Sequence, residues 1–505
     1  MILRNRSACT RFASLLLCLV VVPRVTAAET KALEFHITFD KTVSSQPFTG
    51  RVYVMLHKQD VKEPRSGPSW FNPEPFFAQD VKDWKPGETL TLAGDALSFP
   101  LPLAKLTKGT YTVLAILDLD KGGISFSTSE GNGHSKPLRL ELDPTASGPM
   151  KLTIDQVYKP RAFAETEHVK LVDIESKLLS AFHKRPARLR AGVVLPKSFA
   201  TESEKRYPVL YVVPGFSGTH FGAARASQNV TDVAGVEMLY VVLDPSCRNG
   251  HHVFADSENN GPCGRALIEE LIPHIEKKYR GLGVPAARFV TGHSSGGWSS
   301  LWLQVAYPDF FGGCWSTAPD PVDFRDFQRV NIYKPDANIF TDEEDKPRPL
   351  ARRGDKPVLF FKSFSDMEVV MGHGGQLSSF EAVFSPRGPD GKPRRLWDRA
   401  TGKIDPEVAK SWERYDIRLV LERNWETLGP KLAGKVHVYM GEQDTFYLEG
   451  ATALLQEALK KRESDAVIEL FPGRDHGTLL DRKLRERIQN EMAAQFKKHQ
   501  GKMTH

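Results

Sequence analysis

The sequence predicts an α/β fold with a mostly parallel sheet and a cap-like insertion, preceded by an all-β, sandwich-like domain. Three observations carry that expectation. Residues 29 to about 155 hold short apolar or alternating runs split by Gly, Pro and Asp, with no helical period between them. From about residue 160 apolar runs alternate with stretches of helical spacing, the pattern of a parallel sheet covered by helices. A glycine-fenced serine then sits where one such run, RFVTG, passes into a helical stretch, SGGWSSLWLQVAYP.

A chain of 505 residues exceeds one ordinary domain. Charged residues at 26% and hydrophobic residues at 40% fit a soluble globular protein. Residues 1–28 read as a secretory signal peptide. Arg4, Arg6 and Arg11 form the basic region, Leu15 to Val22 the apolar core, and VTAA the small-residue cleavage site. That apolar core is too short for a spanning helix, and no later run is long and apolar enough to cross a bilayer. Losing the leader removes Arg4, Arg6, Arg11 and Arg24 and no acid, leaving +2 of the formal +6 charge. So weak a balance argues against nucleic acid as a partner.

In the first domain, ALEFHITFD, FTGRVYVMLHK, ETLTLAG, GTYTVLAILDLD and KPLRLELD are the expected strands. WFNPEPFF, from Trp70 to Phe77, is a Pro- and aromatic-rich insertion expected to cover one end of the sandwich, with a binding patch as the rival reading. DLDKGG, from Asp118 to Gly123, lacks the terminal Glu of a calcium loop and reads as a hairpin turn.

The second domain, 156–505, opens with RLRAGVVLP, YPVLYVVPG and VEMLYVVLDP as strands, the second nearly continuous in apolar residues, like a strand buried on both faces. PCGRALIEELIPHIEKKY places Leu267, Leu271 and Ile275 on one side of a helix. FGGCWSTAP, KVHVYMGEQD and AVIELFPG follow as strands, and DRKLRERIQNEMAAQFKKH closes the domain as a helix. The alternation breaks between about 320 and 430. PVLFFKSF, from Pro357 to Phe364, could add a sheet strand there, and the remainder reads as a cap or lid overhanging the strand ends.

Ser294 lies on the sharp strand-to-helix turn that exposes a nucleophile, and the glycines around it avoid clashes with the neighbouring strand and helix. A serine hydroxyl needs a base. In this arrangement the acid and then the histidine follow the serine, each after a strand. Asp444 ends KVHVYMGEQD and His476 ends AVIELFPGRDH, so both stand in the expected order; Asp366, after PVLFFKSFS, is the rival acid. Asp475 is adjacent to the base and points elsewhere. Two backbone N–H groups should hold the oxyanion: Ser295, next to the nucleophile, and Phe216, in the loop YVVPGFSGTH where Gly215 permits close approach. His220 and Trp298 lie near these segments, with structural roles as the default. Of five cysteines, Cys247, Cys263 and Cys314 remain after cleavage. Cys247 and Cys263 bracket one loop and form a possible disulfide, whereas Cys314 reads as a buried free thiol.

YPVLYVVPGFSGTH, VVLDP, GHSSGG, YPDFFGG, GEQD and GRDH occur in family order over roughly 190–318 and 435–480. Together they resemble the esterase D-like branch of the α/β hydrolases, which also holds feruloyl and acetylxylan esterases, enterochelin-type esterases and mycolyltransferases. The resemblance implies Ser294 as nucleophile, Asp444 as acid, His476 as base and oxyanion donors at Phe216 and Ser295. The chain departs from the family where His–Gly is replaced by Pro214–Gly215, and in its long insertion. The expectation is a secreted or periplasmic serine carboxyl-ester hydrolase that needs no metal or organic cofactor and acts on a small-molecule or glycan-linked ester. Acyl transfer of the mycolyltransferase type, and a non-catalytic binding protein on a hydrolase scaffold, are the alternatives.

Overall fold

The computed structural model describes residues 32–62, 67–119 and 122–503. The expected leader, residues 1–28, lies outside them, as do two residues of the DLDKGG turn.

The first unit is all β. Nine strands, β1 (Glu34–Phe39), β2 (Phe48–His57), β3 (Phe76–Trp84), β4 (Leu90–Leu92), β5 (Leu97–Phe99), β6 (Gly109–Leu117), β7 (Gly133–Ser135), β8 (Leu138–Leu142) and β9 (Pro149–Val157), join in one hydrogen-bonded sheet. Its order is β4-β1-β9-β7-β6-β2-β3-β5, with β8 added to β6. In place of two separate sheets, this single sheet encloses a core in which Phe35 and Ile37 meet Val52, Val54 and Leu117. The period of two then sends Tyr53, Met55, Leu114 and Ile116 to the opposite face, where they join the core of the second unit. Burial on both faces is why GRVYVMLH runs almost without polar interruption.

The second unit is built on eight strands: β10 (Val169–Glu175), β11 (Arg188–Val194), β12 (Val209–Val213), β13 (Leu239–Leu243), β14 (Arg288–His293), β15 (Gly313–Thr317), β16 (Val436–Gly441) and β17 (Val467–Phe471). Their order is β10-β11-β13-β12-β14-β15-β16-β17. From β13 to β17 every pairing is parallel, and β10 and β11 are antiparallel. The chain steps from β12 to β13 and then back past β12 to β14. Connections therefore diverge at the carboxyl ends of β12 and β14, the place where an open α/β sheet forms its crevice.

Six of the longer helices are α1 (Ser295–Ala306), α2 (Phe361–Met371), α3 (Gln376–Phe384), α4 (Pro406–Trp412), α5 (Glu449–Lys460) and α6 (Arg482–Met503). The insertion is a packed helical layer. Trp412 is fully buried, and its ring lies 5.1 Å from Phe384 and 5.6 Å from Phe324. Phe384 in turn sits 5.2 Å from Trp298 on α1, which ties the layer to the sheet. PVLFFKSF does not join the main sheet. Lys356–Phe360 pairs with Pro349–Arg353 in a separate hairpin, and Phe361 already starts α2. The reason is steric: β15 pairs directly with β16, leaving no slot between them.

The first unit docks on the C-terminal end of α2. Arg51 donates to the carbonyl oxygen of Val369 at 2.7 Å, and the Tyr53 hydroxyl donates to that of Met371 at 2.6 Å. These carbonyls lack intrahelical partners, and a guanidinium there also meets the negative end of the helix dipole. No helix among the described residues is long and apolar enough to cross a membrane.

Candidate active site

Ser294 occupies the turn between β14 and α1 with φ 61° and ψ −127°. For a non-glycine residue such a backbone costs on the order of 1–3 kcal/mol and persists only where the surroundings enforce it. They do so here. A Cβ on Gly296 would stand 2.0 Å from the Val213 carbonyl oxygen, and one on Gly292 would stand 2.1 Å from that of Gly296. Neither backbone can yield, so GHSSGG is a packing requirement before it is a chemical one.

The loop after β12 closes over this turn. A Cβ on Gly215 would lie 3.1 Å from the His293 carbonyl oxygen. Phe216 then lines the same cleft as Ser294. Ser295 is the first residue of α1, so its N–H has no intrahelical acceptor and stands at the positive end of the helix. The loop is held from behind by His251, a residue the sequence did not single out. Its Nδ1 accepts the Val253 N–H at 3.1 Å, which leaves Nε2 to donate to the Pro214 carbonyl at 2.9 Å. Burial pushes this imidazole down to about 4, so it stays neutral. The only sequence signal was the pair His251–His252 in a loop; its meaning needed the Pro214 carbonyl, brought near by the fold.

His476 and Asp444 are brought together. Nδ1 of His476 lies 2.7 Å from Oδ2 of Asp444, and Oδ1 of Asp444 accepts the Phe446 N–H at 2.8 Å. Asp444 is fully buried. Burial alone would lower the imidazole pKa, but the charge and hydrogen bond of Asp444, with help from Asp320 and Asp475, raise it above its ordinary value. The His476 ring lies 4.6 Å from that of His293, the neighbour of Ser294. It also packs edge-on at 5.0 Å to Phe446, which lines the cleft with Ser294.

A family model described as "Putative esterase" matches residues 184–478, more than half of the chain. The chain belongs to this esterase family. Solved structures to which the chain is similar include an S-formylglutathione hydrolase from Agrobacterium tumefaciens, at 15% identity over 65% of this chain and 95% of that one, TM-score 0.40. A ferulic acid esterase from Anaeromyces mucronatus is similar at 16% identity over 66% and 95%, TM-score 0.34. Dipeptidyl peptidase 4 of Porphyromonas gingivalis is similar at 13% identity over 87% and 50%, TM-score 0.39. No curated protein matches the chain.

In this esterase the cleft above Ser294 is walled by rings. Trp70 comes from the first unit and lies 5.7 Å from Phe216, 5.1 Å from Phe364 on α2 and 6.0 Å from Phe446. Trp70, at the start of WFNPEPFF, therefore reaches across to the second unit, where its apolar neighbours lie, while Phe76 and Phe77 end the stretch inside β3. At the base of the cleft is Asp320, only 5% exposed. Ser295 Oγ donates to its Oδ2 at 2.6 Å, Gln376 Nε2 reaches the same oxygen at 3.4 Å, and its own N–H lies 3.3 Å from the Ser294 carbonyl oxygen. Burial pushes its carboxyl up to about 6. Sequence reasoning missed Asp320, since TAPDP in a loop looks like turn chemistry.

Other expected residues lie elsewhere. Asp366 sits on the exposed side of α2 and pairs with Lys362 at 2.6 Å, with no bond to His476. Asp475 turns back on Thr478. His220 is buried against Asp244 at 2.6 Å, and Trp298 is buried and stacked on Trp302 at 5.3 Å; both are structural. The possible Cys247–Cys263 disulfide is not formed. Both thiols are free and converge on Asn260 instead, Cys247 on its side-chain oxygen at 3.8 Å and Cys263 on its carbonyl at 3.4 Å. Burial pushes the Cys247 thiol up to about 12, far from the thiolate that exchange chemistry requires. Cys314 is a buried free thiol. Among the described residues no group of three or more His, Cys, Asp or Glu side chains is arranged to hold a metal ion.

Proposed function

We propose that this esterase is an exported serine carboxyl-ester hydrolase working through an acyl-enzyme on Ser294. Residues 29–155 form its accessory domain and residues 156–505 its catalytic one, with the 320–430 insertion as a cap. The observation that carries the reading is the Asp444–His476 pair at 2.7 Å, its acid buried and its imidazole packed on Phe446 of the cleft that holds the strained Ser294.

In this mechanism His476 takes the proton of Ser294 Oγ as the oxygen attacks the ester carbonyl. The carbonyl becomes a tetrahedral oxyanion, held by the N–H groups of Phe216 and Ser295 with the N-terminal dipole of α1 behind them. His476 returns its proton to the departing alcohol. A water then gives its proton to His476 and attacks the acyl carbon; the bond from that carbon to Ser294 Oγ breaks, His476 returns the proton to Oγ, and the acid leaves. Asp444 fixes the ring with Nδ1–H toward itself and Nε2 toward the serine, and stabilises the imidazolium. Export is supported by the basic region, apolar core and VTAA site of residues 1–28. The test is hydrolysis of short p-nitrophenyl esters by the mature chain. Turnover should be saturable and lost in Ser294→Ala; equal turnover by that variant would contradict the reading.

A further inference from the structure

Among the described residues, the cleft is lined by acceptors and by no Lys or Arg. Asp320 is buried, yet among the described residues it makes no ion pair with Lys or Arg; its polar partners are the neutral Ser295 and Gln376. The charged groups that act on it are His476 and Asp444, already engaged with one another. Desolvating an unpaired carboxylate costs more than two neutral hydrogen bonds return. Next to it, Gln376 spends its Nε2 on Ser295 Oγ at 3.2 Å and on Asp320, leaving its Oε1 buried without a donor. A carboxylate without a cation and a buried carbonyl oxygen without a donor thus stand side by side on the wall that holds Ser294.

The rest of the wall suits the same partner. Trp70, Phe216 and Phe446 line the same cleft, and aromatic rings are favourable neighbours for a positive charge. The reaction is compatible with the same partner. A negative Asp320 favours the imidazolium that forms on His476 but opposes the negative charge that develops on the attacked carbonyl, and a positive charge on the substrate offsets that opposition.

We propose that this cleft selects esters carrying a primary ammonium group close to the scissile carbonyl, the ammonium pairing with Asp320 and donating to Gln376 Oε1. The proposal rests on the esterase reading of Ser294 and names the substrate class of that site. Asp320 is then a specificity residue, and esters bearing a carboxylate near the carbonyl are excluded.

The test uses binding alone and so does not depend on turnover. The mature chain is titrated with 2-phenylethylamine and with its neutral analogue 2-phenylethanol, followed by ligand-observed NMR. At pH 8 the amine should bind at least tenfold more tightly than the alcohol. At pH 5, with the Asp320 carboxyl protonated, the preference should collapse, and wild-type protein alone suffices for this comparison. Asp320→Asn should show no preference at pH 8; any residual loss of amine binding at low pH in that variant reports His476 gaining charge. Equal binding of the two ligands by the wild type at pH 8, or a tenfold preference that survives in Asp320→Asn, would overturn the proposal. Failure of the esterase reading shows separately, as a Ser294 that does not react with a fluorophosphonate.

Discussion

Nδ1 of His476 lies 2.7 Å from Oδ2 of Asp444, while Asp366 is held on the outside of α2 by Lys362. This geometry supports Asp444, and not Asp366, as the acid of the proposed triad. Asp444→Asn should lower kcat on a p-nitrophenyl ester by about 10⁴-fold, because the amide favours the wrong imidazole tautomer. Asp366→Asn should behave as wild type. If only the second variant lost activity, the assignment would be wrong.

The acid limb of the pH profile follows from the same pair. His476 must be neutral to accept the serine proton, and its pKa is raised above the ordinary 6.5 once the carboxylates outweigh burial. Activity should therefore fall as pH drops through a value above 6.5. A kcat/KM profile whose acid limb lies well below that value would contradict the electrostatic account.

Asp320 makes a prediction about stability. Its carboxyl is raised from 3.8 to about 6 by burial, so the folded chain holds this proton more tightly than the unfolded one. Stability from this group is complete below pH 3.8 and is lost as pH rises through about 6. Asp320→Asn removes the penalty and should stabilise the protein by up to about 3 kcal/mol at pH 8 and by little near pH 4. Thermal melts at the two pH values check this. A variant no more stable at pH 8 than the wild type would argue against a buried, unpaired carboxylate.

His251 acts at one remove, through the carbonyl of Pro214. His251→Ala should lower kcat by about tenfold or more with KM little changed, since the Phe216 N–H is needed most in the transition state. His251→Gln, whose amide can donate to the same carbonyl, should recover much of the loss. A change confined to KM or to the melting temperature would mark His251 as purely structural.

What the sequence revealed follows from how local each feature is. The elbow was legible because Gly292, Ser294 and Gly296 are fixed by contacts within one turn and one adjacent strand. The pairing of Asp444 with His476 was legible because each follows an apolar strand run, β16 and β17, in the expected order. Asp320, Gln376 and Trp70 were not, since each gains its meaning only when the insertion and the first unit close over β14. The insertion hid its helices because they are short and buried on several sides: α3 buries Ser379, Phe380, Glu381, Ala382 and Val383 in succession, which trace no single stripe. Cys247 and Cys263 were close in the chain, but proximity did not decide whether they bond; Asn260 accepts from both.

The central claim is that Ser294 is an activated nucleophile. The most direct measurement is reaction of the mature chain with a fluorophosphonate, followed by peptide mass spectrometry. The account predicts one adduct, on Ser294, forming rapidly in the wild type and far more slowly in His476→Ala. An unlabelled Ser294, or a label on another residue that persists in Ser294→Ala, would contradict it.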